Sequence, residues 1–372
     1  MKIAHFLYDS IDNPWLGGGG AVRAQEINKH FPKNWNVQVF SANYPEANVT
    51  QNQKFLGRPR KNYLLSRFEY FRSARSFIKN NHSEFDLIIE DYSPFSPLFL
   101  KNFIAQEKLL FISQNYFGPQ VLKDKLGFLG KLAGIFEAKS YQKIHNILYS
   151  SEDLQTQVHQ FISSKFQHEF IVYNGVEDNY LDKKSTVQKK NQLLFLGRFE
   201  IQQKGIDRLL NIALELKKKL PDFKIILAGK GKDEVQIKTR IYELNLGDFI
   251  KVIPFVSGSN KKTLLQESKL LIMPSRYESW GISSLEAQAC GTPVIASNIP
   301  GLRLTLQENK TGVLFDNQID LVNKIIELIN DEQRLNDMSL KAKLFAENFS
   351  WSKISQLQQD VYTSIIKQKK EL

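Results

Sequence analysis

The sequence predicts an α/β protein of two doubly wound domains facing each other across a cleft. Three observations predict it. Short apolar runs alternate with helical patterns along both halves, as in parallel sheets covered on both faces. A polar, Lys-rich stretch, Asp182 to Asn191, separates two such series. At 372 residues the chain is longer than one ordinary core supports.

In the first half, Lys2 to Tyr8 reads as a strand and Asp9 to Gly20 as a loop ending in a glycine run. Ala21 to His30 follows as a helix with Val22, Ile27 and the next residue, Phe31, turned inward. Further β-like runs are Val37 to Phe40, Leu87 to Ile89, Leu109 to Ile112 and Ile147 to Ser150, with Ile171 to Val176 as the last strand and exit turn. The second half repeats the architecture without repeating sequence. Its strands are Leu193 to Leu196, Lys224 to Ala228, Ile250 to Pro254, Leu270 to Met273, Pro293 to Ala296 and Gly312 to Leu314. Helical patterns run over Gly205 to Leu220, Lys232 to Leu244, Lys261 to Gln266, Leu285 to Ala289 and Asp320 to Ile329. The expected domains are 1–182 and 183–350.

Composition narrows the classes. No run approaches the roughly 18 apolar residues of a membrane span, and the start, MKIAHFLYDS, reads as a strand and not a signal peptide. The single cysteine, Cys290, excludes internal disulfides, fits a reducing cytoplasm and reads as a small buried filler. The six histidines have no paired ligand spacing. A net charge of +11 invites a nucleic-acid or membrane partner, but no nucleic-acid motif accompanies it. The excess is concentrated in 54–79, where Arg58, Arg60, Lys61, Arg67, Arg72 and Arg75 interleave with aromatic and aliphatic residues. A basic amphipathic helix there suits an anionic membrane face, and a second basic, apolar stretch runs from Val121 to Lys143. A core-facing stripe with a solvated basic edge is the alternative for both.

The chemistry gathers at strand ends. In LLFLGRFEIQQKGIDRLL, Gly197, Arg198 and Lys204 follow a strand and precede a helix, a place where two cations hold a diphosphate. ILAGKG puts Gly229 and Gly231 at the end of the next strand. Between Leu270 to Met273 and Pro293 to Ala296 lie Glu278, in a loop at a strand's carboxyl end, and Glu286, in the following helix. Open α/β sheets bind ligands at such ends, and helix N-termini suit phosphates. Ser283 and Glu286 also have the spacing of a capping box, which would make Glu286 a structural cap. The run Gly17 to Gly20 before a helix repeats the phosphate-binding pattern in the first half, without matching a dinucleotide fingerprint or a P-loop.

These motifs together resemble the family-4 retaining glycosyltransferases with the GT-B fold. The matching marks are GGGGAVR, NGV at Asn174 to Val176, GRF-x5-KG at Gly197 to Gly205, AGKG, and PSRYESWGISSLEAQACGTPVIAS, whose Glu278 and Glu286 form the family's E-x7-E pair. FSWSKI, Phe349 to Ile354, is similar to the closing segment, which implies that 351–372 form a helix crossing back to the first domain.

The resemblance implies a metal-independent transfer from a UDP- or GDP-sugar to a hydroxyl of a saccharide or lipid-linked acceptor. No cofactor beyond the nucleotide-sugar substrate is implied, and the sequence has no Asp-x-Asp pair. By it, Glu286 would bond the ribose and Glu278 the donor sugar. Gly281, Ile282 and Ser283, with Gly19 and Gly20, would surround phosphates and sugar. Arg198 and Lys204 would neutralise the departing diphosphate, with Gly197 and Gly229 beside it, and Phe255 and Val256 would border the base.

Some positions depart from the family pattern. Gln114 and Asn115 stand where many members carry a His near the reacting carbon, and neither amide is a general base near neutral pH. Ser279 and Trp280 replace Gly-Phe at the sugar, Pro254 stands where Gly is usual, and Leu304 where an acidic residue is common. The expected setting is cytoplasmic, with peripheral contact to an anionic membrane through 58–79, in cell-envelope polysaccharide or glycolipid synthesis. The competing functions are a nucleotide-sugar-binding protein without transfer, and an epimerase or phosphorylase on the same fold.

Overall fold

Parallel pairing throughout explains why the inner strands read as apolar runs: each is covered on both faces, so neither side is polar. The computed structural model describes residues 1–11, 13, 19–47, 50, 52–93, 97–118, 122, 128–182, 187–278 and 280–371. Gly17 and Gly18, Ser279, and parts of the Val121 to Lys143 and Asp182 to Asn191 stretches lie outside the described residues. The chain divides into two units, 1–174 with 351–372, and 175–350. The division falls between Asn174 and Gly175, ahead of the polar run at Asp182 to Asn191.

The first unit carries a seven-stranded sheet in the order β3-β2-β1-β4-β5-β6-β7. The strands are β1 (Lys2–Phe6), β2 (Asn36–Ala42), β3 (Gln53–Leu56), β4 (Leu87–Asp91), β5 (Leu109–Ser113), β6 (Asn146–Tyr149) and β7 (His168–Ile171). On one face, α1 (Gly19–Lys29) and the returning helix, α13 (Trp351–Glu371), pack on Ile3, Leu87, Ile89, Leu110 and Ile112 through Ile27, Trp351, Ile354, Tyr362 and Ile365. On the other, Tyr70, Ala74 and Ile78 of α2 (Tyr63–Asn81) meet Phe6, Phe40, Ile88 and Leu109. Beside them Tyr141, ending α3 (Phe128–Tyr141), and Leu154 and Val158 of α4 (Glu152–Phe161) meet Phe111, Ile147 and Tyr149.

Three readings of this half change. Gly19 and Gly20 open α1 instead of ending a loop. Arg23 is fully buried and Val22 only half so, because the Arg23 guanidinium donates to Val172 O at 3.1 Å inside the unit. The last strand is His168–Ile171; after one more rung, Val172 N–H to Tyr149 O, the chain leaves the sheet. The edge strand β3, QKFL, has no apolar run and was not expected.

The second unit carries a six-stranded sheet, β10-β9-β8-β11-β12-β13. Its strands are β8 (Gln192–Leu196), β9 (Lys224–Ala228), β10 (Ile250–Ile253), β11 (Leu270–Met273), β12 (Val294–Ser297) and β13 (Gly312–Phe315). The helices are α5 (Ile201–Lys204), α6 (Ile206–Lys219), α7 (Glu234–Glu243), α8 (Gly258–Glu267), α9 (Ile282–Ala289), α10 (Pro300–Arg303), α11 (Gln318–Asn330) and α12 (Glu332–Ala346). Strand order reverses between β8 and β11, which places a topological switch point outside their carboxyl ends.

Candidate functional site

The carboxyl edge of the second sheet, which includes the switch point, carries several of the singled-out residues. Gly197 and Arg198 leave β8, Gly229 leaves β9, Phe255 and Val256 leave β10, and Glu278 lies in the loop after β11. Because all six strands are parallel, these exits share one sheet edge.

Glycines hold the exits together. Gly205 has φ +65°, and a Cβ there would lie 1.9 Å from Pro274 O, so the turn after Lys204 rests directly on the turn after β11. That contact brings Lys204 Nζ onto Glu278 Oε1, with both side chains mostly buried. A Cβ on Gly229 would lie 1.9 Å from Gly197 O, so that glycine is required by backbone packing. Arg276 locks the same corner. Its guanidinium forks onto Asp207 at 2.8 and 2.6 Å and donates to Ile201 O at 3.0 Å, while its N–H donates to Gln203 O at 2.9 Å. Burial works to raise the Asp207 carboxyl, but the Arg276 hydrogen bonds and charge outweigh it and hold the group below its ordinary range. Arg198 is mostly exposed, its guanidinium donating to Gln203 Oε1 at 3.2 Å.

Glu286 is the second buried acid. It accepts from Lys261 Nζ at 2.5 Å, across from α9 to α8. Burial pushes its carboxyl up, the Lys261 charge and hydrogen bond pull it down, and Glu177 adds to the rise. The capping-box alternative does not form. The helix begins at Ile282, with Gly281, two residues before Ser283, as its N-cap and no side-chain cap, and the Glu286 carboxylate goes to Lys261. Gly281 N–H donates to Gly301 O at 3.3 Å and Ile282 N–H to Trp280 O at 3.0 Å, so these two amides are engaged within the chain. Ser283 lies half-buried in the first turn of α9. The Trp280 indole is buried with its centroid 6.0 Å from that of Phe349, which makes it part of the packing of the unit. Phe255 is exposed with Lys230 Nζ 5.4 Å from its ring centroid, and Val256 is half-buried.

The first unit brings a second group together. Gln114, at the end of β5, donates from Nε2 to Asp91 Oδ2 at 2.7 Å, and His5 Nε2 lies 3.3 Å from the same oxygen, all three buried. A Cβ on Gly20 would lie 3.1 Å from Gln114 Nε2, so the start of α1 presses on that amide. Asn115 is half-buried and its carbonyl accepts from Tyr141 at 3.3 Å; Gly19 is exposed.

Lys261, Arg276, Asp207 and Asp91 were not found from the sequence. For Lys261 a signal existed: it lies four residues before the buried Leu265 and therefore on the inward face of α8.

Comparison with known proteins places this edge in a family. Residues 176–345 match the family described as glycosyl transferases group 1. An uncharacterized glycosyltransferase of Methanocaldococcus jannaschii is 32% identical over 185 residues, covering 49% of this chain and 50% of that protein. The chain thus spans about half the length of the curated relatives it matches. Among solved structures, sucrose-phosphate synthase from Thermosynechococcus elongatus superposes with a TM-score of 0.78 at 18% identity, covering 98% of each chain. HepE of Anabaena, in complex with UDP and glucose, gives 0.77 at 18% identity, covering 98% of this chain and all of that one (100%). By its fold the chain is a GT-B protein, and its residues 176–345 match the group 1 glycosyltransferases.

Proposed function

We propose that the protein is a retaining, metal-independent glycosyltransferase that moves a sugar from a UDP- or GDP-sugar to a hydroxyl of a saccharide or lipid-linked acceptor. The observation that carries this reading is the Lys204–Glu278 pair at the switch point, with the Lys261–Glu286 pair in the same unit. In this reading Glu286 accepts hydrogen bonds from the ribose hydroxyls and Glu278 from hydroxyls of the donor sugar. Lys204 and the exposed Arg198 receive the diphosphate. As the sugar leaves, negative charge grows on the β-phosphate, and cations already held in place favour that state over the ground state. The exposed Phe255 ring, with Val256, borders the base.

In the second unit the amides assigned to the phosphates narrow to Ser283, because those of Gly281 and Ile282 are used within the chain. Trp280 drops out as a sugar contact for the reason of its burial. The setting in this reading is the cytoplasmic face of a membrane, in cell-envelope polysaccharide or glycolipid synthesis, supported by 58–79, which carry seven basic residues against Glu69 alone.

Release of UDP or GDP from a panel of nucleotide sugars tests this. Glu278→Ala and Lys204→Ala should each cut turnover by about 100-fold or more, the scale of losing one preorganised stabilising group. Wild-type turnover in both variants would remove the roles assigned here. A nucleotide-sugar-binding protein without transfer is the second reading, favoured by Gln114, whose amide is tied to Asp91 and is no base. Tight donor binding with no turnover on any acceptor would establish it.

A further inference from the structure

We propose that α2 and α3 together form a docking face of the first unit for a membrane surface carrying anionic lipid. This deepens the membrane side of the function proposed above, and it does not rest on the donor chemistry of the second unit. Both helices lie on the same side of the first sheet. Leu109 packs with α2 and Phe111 with α3, and these residues are two apart on β5, so they point to one face.

Each helix leaves an apolar stripe in water. On α2, Leu64, Leu65 and Phe68 are 72, 55 and 64% exposed; on α3, Leu132, Ile135 and Phe136 are 49, 52 and 52% exposed. The spacings i, i+1, i+4 and i, i+3, i+4 put each trio on one helical face. This overturns the core-facing reading for these parts of both stretches.

Charge selects the occupant. Every exposed ionic side chain of the two helices is basic: Arg72 and Lys79 on α2, Lys131 and Lys139 on α3. The carboxylates of both helices turn inward. Glu69 is taken by Arg60 at 2.9 Å and Arg72 at 3.5 Å, and Glu137 accepts N–H groups from Phe117 and Gly118 at 3.1 and 2.9 Å. Arg58 and Lys61, just before α2, extend the cationic border. Apolar side chains beside these cations match acyl chains beneath anionic headgroups. Among the described residues no helix is long and apolar enough to cross a membrane, so the contact lies on the surface.

Flotation of the full chain with phosphatidylcholine vesicles, with and without phosphatidylglycerol, and with no donor or acceptor present, tests this. Wild type should float with the anionic vesicles and lose most of that binding at high salt. Phe68→Ser/Phe136→Ser should weaken binding at least ten-fold with an unchanged melting midpoint, since both side chains are exposed. Lys131→Gln/Lys139→Gln should lessen the dependence on phosphatidylglycerol. Absence of flotation, or flotation indifferent to both double variants, overturns the proposal. So does concentration-dependent dimerisation that the Phe68/Phe136 variant abolishes, which would give the face to a second copy of the chain. Nucleotide release in the absence of vesicles is read separately, so loss of membrane binding and loss of transfer are distinguishable.

Discussion

Replacing Lys261 by Met strips the buried Glu286 carboxylate of its cation and leaves a side chain of similar length. The pair spans 2.5 Å, with Glu286 buried and Lys261 partly open to solvent. Removing one member of a fully buried pair costs about 3–5 kcal/mol, and the exposure of Lys261 brings the expectation down to about 2–3 kcal/mol. Burial already holds the Glu286 carboxyl above its ordinary range, and losing Lys261 raises it further. A carboxyl raised in the folded state contributes stability below its unfolded pKa, about 4.3, and that contribution is lost as pH rises through the folded value. Lys261→Met should therefore melt close to wild type near about pH 4 to 5 and fall behind it near about pH 8. At about 2–4 °C per kcal/mol for a unit of this size, the deficit is about 4–12 °C. Thermal unfolding at the two pH values reads it, and Lys261→Met/Glu286→Gln should recover most of the loss. An equal deficit at both pH values, or a double variant no better than the single, would refute the reasoning.

Gly205→Ala should destabilise by about 3 kcal/mol or more, because its φ is left-handed and the new Cβ collides with Pro274 O; Gly247→Ala, with nothing within 4 Å of its Cβ, should stay within about 0.5 kcal/mol of wild type in the same denaturant titration. Arg276→Ala should free Asp207 and loosen the turn that presents Lys204. The depressed Asp207 carboxyl contributes stability above its unfolded pKa, about 3.9, that is lost as pH falls through the folded value, so this variant should lose part of the acid limb of a stability–pH curve. Glu90→Ala should cost the first unit about 3 kcal/mol in urea unfolding, because the buried Glu90 carboxylate accepts the N–H groups of Leu98, Phe99 and Leu100, which would be left without it.

Buried parallel strands announce themselves as apolar runs, and so the second sheet was legible nearly residue by residue. Arg198, Lys204 and Glu278 were legible for a related reason: charged residues between such a run and the next long helix fall at the carboxyl edge of the sheet. The edge strand β3 was not, since Gln53 and Lys54 break any apolar pattern and pairing with β2 alone organises it. The helix Glu332–Ala346 escaped because its buried positions, Leu335, Met338, Ala342 and Ala346, are spread among many charges. No local pattern marks Arg23 as buried, because the carbonyl of Val172 that its guanidinium reaches is distant in the chain. Partners distant in sequence, Arg276 with Asp207 and Gln114 with Asp91, leave no local trace at all.

The edge of the second unit bearing Glu278 and Glu286 should bind a nucleotide sugar. Thermal unfolding with UDP- and GDP-sugars measures it, since a ligand present at about 100 times its Kd adds about 2.7 kcal/mol to the folded state. One of these donors should raise the midpoint of the wild-type protein, and Glu286→Ala should abolish the rise. No shift with any nucleotide sugar, or an undiminished shift in Glu286→Ala, would contradict it.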